Sequence, residues 1–485
     1  MTTERLRAVL QWGVLALLFL APLPYGSVQP GAVLAIELTA SALGLATILL
    51  IGRDEDAAAA IPKVPLAICS GLIALGILQL VPLPFSIAEK FNPTAELVRP
   101  LIPYLGLDAP PAVSWSVAAP ETADALLRFV AYVLIGLAAA VAFDTERSRR
   151  RFALVLAVTA LFQATYGSGE YLTGRQHIFW FAKKYFLESA TGTFINRNHF
   201  ATLLAIALPF ALTLAVPRRG NRQRRGWRDR VVRLSEGFEL RRLFAVLASA
   251  LIWMGLLLSH SRAGLFAALV GVAIVLIRYR RERAARWAGA IGAGVLIVLL
   301  SAELTQAPGE RFLATKDDLN AKAGRLAAWR DTRSLVTARP LLGWGFGTFE
   351  SAFPTVQSAD IDVHFDHAHN DWLEWTTEGG VITLLAAMTL LALALRRSDT
   401  ASRAALVAVA VHAVLDFSLR IPAVAVATAG TMGLGYSAYA AATNSRKAGR
   451  DFPPPTQNNS GPSSFLSRMR IKRPASATLS RPDGP

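Results

Sequence analysis

The chain has 485 residues, 53% of them hydrophobic and 17% charged, with a formal net charge of +16. A soluble protein carries nearer a quarter charged residues, so the composition excludes an ordinary soluble globular chain. The basic excess does not indicate nucleic acid as a partner, because Lys and Arg fall in clusters between apolar runs, the pattern that orients membrane helices. The single cysteine, Cys69, rules out a disulfide within the chain and a cysteine-based metal site.

Most apolar runs are near the length that crosses a bilayer as helix. They predict an all-α, polytopic integral membrane protein of about twelve spans. The cores in chain order are Ala8–Leu23, Ala32–Ile51, Val64–Phe85, Ala123–Phe143, Phe152–Gly167, Phe200–Val216, Leu243–Leu258, Ala263–Ile277, Ala288–Ala302, Val381–Leu395, Ala404–Phe417 and Ile421–Ala441. The first follows a basic start and resembles a signal peptide. Its apolar run is long for one, and Ala21-Pro22-Leu23-Pro24 makes a poor processing site, so it is read as a span.

With a cytoplasmic N-terminus, parity puts Arg147–Arg151, Pro217–Arg242 with its ten Arg, Arg278–Arg286 and Arg396–Arg403 on the cytoplasmic side. That agreement follows the positive-inside rule. It makes 1–442 a multi-span membrane domain with both termini cytoplasmic. Residues 443–485, rich in Pro, Ser and Asn and basic at the end, read as a disordered cytoplasmic tail. Four polar segments face outward. Ser86–Thr122, rich in Pro, is expected on the membrane face. Ser168–His199, with Phe179, Trp180, Phe181, Lys183 and Lys184, suits an interfacial helix. Ser259–Arg262 is a short turn. Glu303–Gly380 is a large loop before the tenth span. Its segment Gly324–Ala338 has apolar residues near helical spacing, Pro340 stops that helix, and Gly343–Gly347 makes a Gly-rich turn.

Four outer features carry candidate chemistry. In Thr191–Phe200, Asn196 or Asn198 can cap the sixth span. The free N–H groups and positive dipole of a helix start favour an anion, and Arg197 adds a fork of donors suited to phosphate; His199 follows. The bland reading makes Arg197 a headgroup anchor. Arg262 is brought by its short turn to the same surface, where two Arg can clamp a diphosphate, or it too is an anchor. In the third feature, Arg325, Arg330 and Arg333 lie on one segment, and Arg330 is the selected candidate. The fourth is His364–Gly380, which holds three of the seven histidines within six residues. His364, His367 and His369 with Asp362 and Asp366 are possible metal ligands, but zincin spacing is missing. A neutral His acting as general base is the preferred alternative, its ring oriented by Asp371 or Glu374; a loop rich in His by chance is the third.

The arrangement resembles the O-antigen ligase and O-antigen polymerase (Wzy_C-like) superfamily of bacterial membrane glycosyltransferases. The family signature is His followed by Asn, Ser or Gln, nine residues, Gly, two residues, then Gly, Thr or Tyr. It is matched by His369-Asn370, Asp371–Gly379, Gly380, Val381-Ile382 and Thr383. Arg330, Pro340 and Leu342–Phe349 are similar to the family's preceding segment, and Thr191–His199 and Ser261–Gly264 to its two Arg-bearing motifs. The resemblance covers about 152–417, with the periplasmic loop at about 303–380. It implies a glycan donor carried on undecaprenyl diphosphate at the periplasmic face of the inner membrane. The acceptor would be lipid A–core for a ligase or a second lipid-linked glycan for a polymerase. It implies His369 as catalytic base, Arg197, Arg262 and Arg330 as diphosphate-binding residues, and Asn196, Asn198, His199, His367, Asn370 and Glu374 in support. Inversion without a metal ion or other cofactor follows from the same likeness. The rivals are a transporter or flippase, which would want charge buried at mid-membrane, where the cores carry little, and a membrane metalloenzyme. His412 and Asp416, four apart near the end of the eleventh span, are read as a structural pair or as helping to shape the site.

Overall fold

The protein, seen in a computed structural model that describes residues 2–92, 99–106, 112–216, 238–279, 324–359, 361 and 363–451, is all-α. Helices cover eleven of the twelve predicted spans; the other, 288–302, lies outside the described residues, as do Asp362 and tail residues 452–485. Among the described helices seven are long and apolar enough to cross a membrane. Residues 1–441 form one compact unit; the remainder is described only to Asp451, as helix.

The centre of the bundle is the Arg197–Ala215 helix. It packs against helices Glu146–Leu172, Phe238–Leu258, Arg262–Tyr279 and Thr400–His412. Nothing charged follows Arg197 in it, and Ala201, Ala205, Ala207 and Ala211 are fully buried. Small residues let membrane helices approach closely, which is how one helix accommodates four neighbours. Before it, Thr3–Leu20, Pro30–Ile51, Lys63–Leu80 and Ala119–Ala142 form an adjoining group.

The outer segment 168–199 departs from the expected interfacial helix. The Glu146–Leu172 helix ends before Gly174, whose φ is +69°. The chain then forms a two-residue antiparallel ladder, His177–Ile178 with Phe181–Ala182. Left-handed φ at Phe179 (+54°) and Phe186 (+55°) break any helical run, and Phe179 N–H donates to Tyr166 Oη at 2.6 Å. Within 86–122, short helices accompany a strand, Ala112–Ser114, that pairs with Pro82–Pro84 just before the segment.

The tenth predicted span, Val381–Leu395, is preceded by helix where the sequence reading placed loop, and a break separates the two. The chain is helical over Asp371–Arg397, but Gly380 interrupts it at φ +71°, ψ −175°. A side chain there would strike the Leu341 carbonyl. Through this notch passes the turn after Pro340: Val381 N–H donates to Pro340 O at 2.8 Å, Trp344 N–H to Thr377 O at 3.0 Å, and Gly345 N–H to Glu378 O at 2.9 Å. Gly343, Gly345 and Gly347 all have positive φ. Buried Gln79, from the third span, ties both sides together. Its Nε2 donates to Leu342 O and Glu378 O, and its Oε1 accepts from Phe346 N–H.

Gly380→Ala is expected to destabilise the protein by at least about 1–3 kcal/mol, the range for a non-Gly residue in a strained backbone region. Gln79→Ala should also lower the thermal midpoint, by removing three hydrogen bonds to the backbone, two of which leave Leu342 O and Phe346 N–H without this partner. Unchanged midpoints of both variants in detergent would show that this notch does not hold the loop.

Candidate functional site

Three helices begin at one place, each capped by its own sequence. Asn196 caps the Arg197–Ala215 helix, accepting from Asn198 N–H at 2.8 Å. Ser261 Oγ accepts from Gly264 N–H at 3.2 Å at the start of the Arg262–Tyr279 helix. Asn370 caps the Asp371–Arg397 helix, accepting from Leu373 N–H at 3.1 Å. Side chains of these starts meet. Ser261 Oγ donates to Asn198 Oδ1 at 2.7 Å, and Asn198 Nδ2 donates to Asp416. Asp371 N–H donates to Asp416 O at 3.2 Å.

Asp416 is the hub. It is buried in the turn after the Thr400–His412 helix. Its Oδ1 accepts from Phe417 N–H at 2.8 Å and lies 3.8 Å from both His199 Nε2 and His369 Nδ1, ion-pair rather than hydrogen-bond distances. Arg325 Nη2 stands 3.5 Å from Oδ2 and donates through Nη1 to Leu415 O. Arg325, His199 and His369 surround this buried carboxylate with groups able to carry positive charge, and the Asn198 amide and Phe417 N–H donate to it. His412 pairs not with Asp416 but with Thr202 and Ser418 through Nδ1.

His369 has φ +49°, a left-handed residue just before the Asn370 cap, and that bend aims its ring back at Asp416. Its Nδ1 is buried, whereas Nε2 has no described partner and is not enclosed. Phe417 is the surface on which the histidines gather. His367 stacks on it at 4.1 Å between centroids and 24°, while His199 and His369 meet it edge-on at 4.8 and 4.9 Å.

The residues expected to orient His369 do other work. Glu374 binds His367 Nδ1 at 2.8 Å and accepts from Ala368 N–H at 2.9 Å; Asp371 accepts from Leu419 N–H at 3.0 Å. The three clustered histidines diverge: His364 goes to Glu350 at 2.9 Å, on the exposed side, His367 to Glu374 and His369 towards Asp416. Asn198, which the sequence offered as a cap, instead bridges Ser261 to Asp416.

Among the arginines, Arg197 is half-buried, with Nη1 3.2 Å from Ser189 Oγ and its guanidinium over the Phe186 ring. Arg262 is exposed at the first residue of its helix. Both sit one residue from the side chains that link the helix starts. Arg330 points elsewhere, mostly exposed, bonded to Asp331 at 2.9 Å and Ser358 at 3.0 Å. On that helix it is Arg325 that reaches the centre, and Trp329 Nε1 donates to Ala368 O at 2.7 Å, holding the helix to the histidine loop.

Sequence reasoning missed Phe417, Glu378 and Arg420. Arg420 lies 3.3 Å from Glu374 and 2.5 Å from Glu378. Glu378 and Arg420 also line a cavity of about 280 Å³, otherwise mainly apolar, with Phe129, Trp372, Leu391 and Met432 in its wall. The available signal was the i, i+4 spacing of Glu374 and Glu378, two acids on one face of an apolar helix that require a cation.

Removing the hub should be costly. Asp416→Ala leaves His199, Arg325 and the Asn198 amide without their anion, and breaking a buried charge cluster typically costs about 3–5 kcal/mol. Thermal unfolding in detergent measures it; a midpoint within a degree of wild type would contradict the hub.

No curated protein matches the sequence. Residues 247–388 match the family model described as O-antigen ligase, Wzy_C. The match includes Ser261, Arg262, Arg325, Arg330, His367, His369 and Gly380, and stops short of Asp416. Over that segment the chain is similar to the O-antigen ligase family, membrane glycosyltransferases of the ligase and polymerase type.

Proposed function

We propose that this protein is an O-antigen ligase-like glycosyltransferase of the bacterial inner membrane. It moves a glycan from an undecaprenyl-diphosphate carrier to an acceptor hydroxyl, that of lipid A–core, at the periplasmic face. One observation carries the reading: three capped helix starts, bearing Arg197, Arg262 and the His369-Asn370 signature, meet around Asp416. Helix starts and guanidinium groups suit a diphosphate, and an imidazole with an open Nε2 suits a hydroxyl proton.

The acceptor hydroxyl gives its proton to His369 Nε2 as its oxygen attacks the anomeric carbon of the donor sugar. The bond from that carbon to the diphosphate oxygen breaks, the configuration inverts, and the diphosphate leaves with the bonding pair. Asp416 beside Nδ1 stabilises the imidazolium that forms. Arg197 and Arg262 meet the charge growing on the leaving group, where electrostatic stabilisation acts most strongly. Arg325, rather than Arg330, is the third cation near the centre. Fixed cations make a metal ion unnecessary in this scheme. The apolar cavity beside Glu378 and Arg420 suits a hydrocarbon chain better than a sugar.

The test is glycan transfer by purified protein in liposomes supplied with an undecaprenyl-diphosphate oligosaccharide, with and without lipid A–core. Product on lipid A–core is expected, with His369→Ala lowering its rate about 100- to 10,000-fold, the range for a lost general base. Lengthened lipid-linked glycan without that acceptor would make the protein a polymerase with the same chemistry. Full activity of His369→Ala would remove the base, and no transfer to any acceptor would favour a transporter.

A further inference from the structure

The glycosyl-transfer reading uses one histidine–carboxylate pair, His369 with Asp416. The same Phe417 ring carries a second, His367 with Glu374, built differently. The His367–Glu374 contact is a direct bond of 2.8 Å, not the 3.8 Å approach at His369. Glu374 cannot swing away, because Ala368 N–H holds its second oxygen at 2.9 Å and Arg420 Nε stands 3.3 Å from the first. Arg420 is itself fixed by Glu378 at 2.5 Å. Three buried carboxyl groups, Glu374, Glu378 and Asp371, lie around Arg420, and the further group bonded to Glu374 that can carry positive charge is His367. The flat stacking of that ring on Phe417 at 4.1 Å is the geometry in which an aromatic face stabilises a cation. Nδ1 is consumed by Glu374; Nε2 has no partner among the described residues and is not enclosed, and the side chain is 28% exposed.

We propose that His367 is a second catalytic histidine of this site: an imidazolium, held by Glu374, whose Nε2–H donates to the anionic diphosphate of the donor, with Arg420 the positioning residue that locks Glu374. This deepens the glycosyl-transfer reading and rests on it. The two histidines then divide the work, His369 accepting the acceptor's proton and His367 adding a positive donor where the leaving group gathers charge.

The charged groups around His367 are Glu374 from the Asp371–Arg397 helix, Arg420 from the turn after Phe417, Asp366 on its own loop, and His199, His369 and Asp416 around Phe417. Burial lowers the pKa of His367, but Glu374 outweighs burial and Arg420, so it stands above its ordinary value. The sign follows. A raised histidine pKa keeps the cation at neutral pH, and the donor is lost as pH rises through that pKa. Activity should therefore have an alkaline limb set by His367.

The experiment is the pH profile of transfer in the same liposomes for wild type, His367→Gln, His367→Lys and Glu374→Gln. Loss of one charged hydrogen bond predicts about a 10- to 100-fold lower rate at neutral pH for His367→Gln. Glu374→Gln should shift the alkaline limb to lower pH, and His367→Lys, a cation over a wider range, should move it to higher pH. An unaltered rate and limb in His367→Gln would overturn the proposal. Imidazole ¹⁵N shifts of labelled wild-type protein provide a readout independent of transfer. Titration of His367 at or below about 6.5, the ordinary value, would overturn the cation even in a fully active enzyme. Titration above it in a protein that transfers no glycan would place the failure in the glycosyl-transfer reading instead.

Discussion

A carboxylate taken out of water must be matched by donors and positive charge, or it costs several kcal/mol. Asp416 meets that requirement with groups from four separated parts of the chain: Asn198 and His199, Arg325, His369, and the Phe417 N–H of its own turn. The same requirement explains why so much polar chemistry sits at the end of an apolar bundle. Neither Asn198 nor His199 is needed to cap its helix, since Asn196 does that. They are turned inward to a charge that the eleventh span delivers after its last helical turn.

The helix starts reinforce this arrangement. The N-terminal ends of three helices carry partial positive charge, about half an elementary charge each, and their first turns approach one another through Ser261, Asn198 and the Asp371 N–H. Asp416 compensates part of that charge. Arg197, Arg262 and Arg325 stand at or beside these helix ends, which is why the proposed site for an anion is placed there. The bundle contributes by rigidity. The Arg197–Ala215 helix touches four others along its length, so the position of its first turn is set by packing over many residues rather than by the loop before it.

What could be read from the sequence was whatever depends on near neighbours. Apolar length located eleven described helices. Asn196 or Asn198 announced a cap, and Asn196 supplies it; the break at Gly380 went unread. Failures came where two distant stretches decide a conformation together. Aromatics between Phe179 and Phe186 suit an interfacial helix by composition, yet left-handed backbone at both ends makes a turn and ladder instead. Arg330 was the sequence's choice on this helix, yet Arg325 is the one that faces Asp416, with Trp329 bonded to Ala368 O beside it. Glu374 sits near enough in sequence to orient His369, and in space a nearer histidine takes it.

That exchange of partners gives the site its asymmetry. Asp416 divides its charge among Asn198, the Phe417 N–H, Arg325 and two histidines, and makes no hydrogen bond to His369. Glu374 spends one oxygen on a direct bond to His367 and is itself pinned by Arg420 and a backbone N–H. Two imidazoles against one phenyl ring would repel each other if both were charged, and the cost would be largest where the ring excludes water. Tying one tightly to a carboxylate and leaving the other loosely paired makes the two imidazoles geometrically unlike, and the proposed division of their roles rests on that difference.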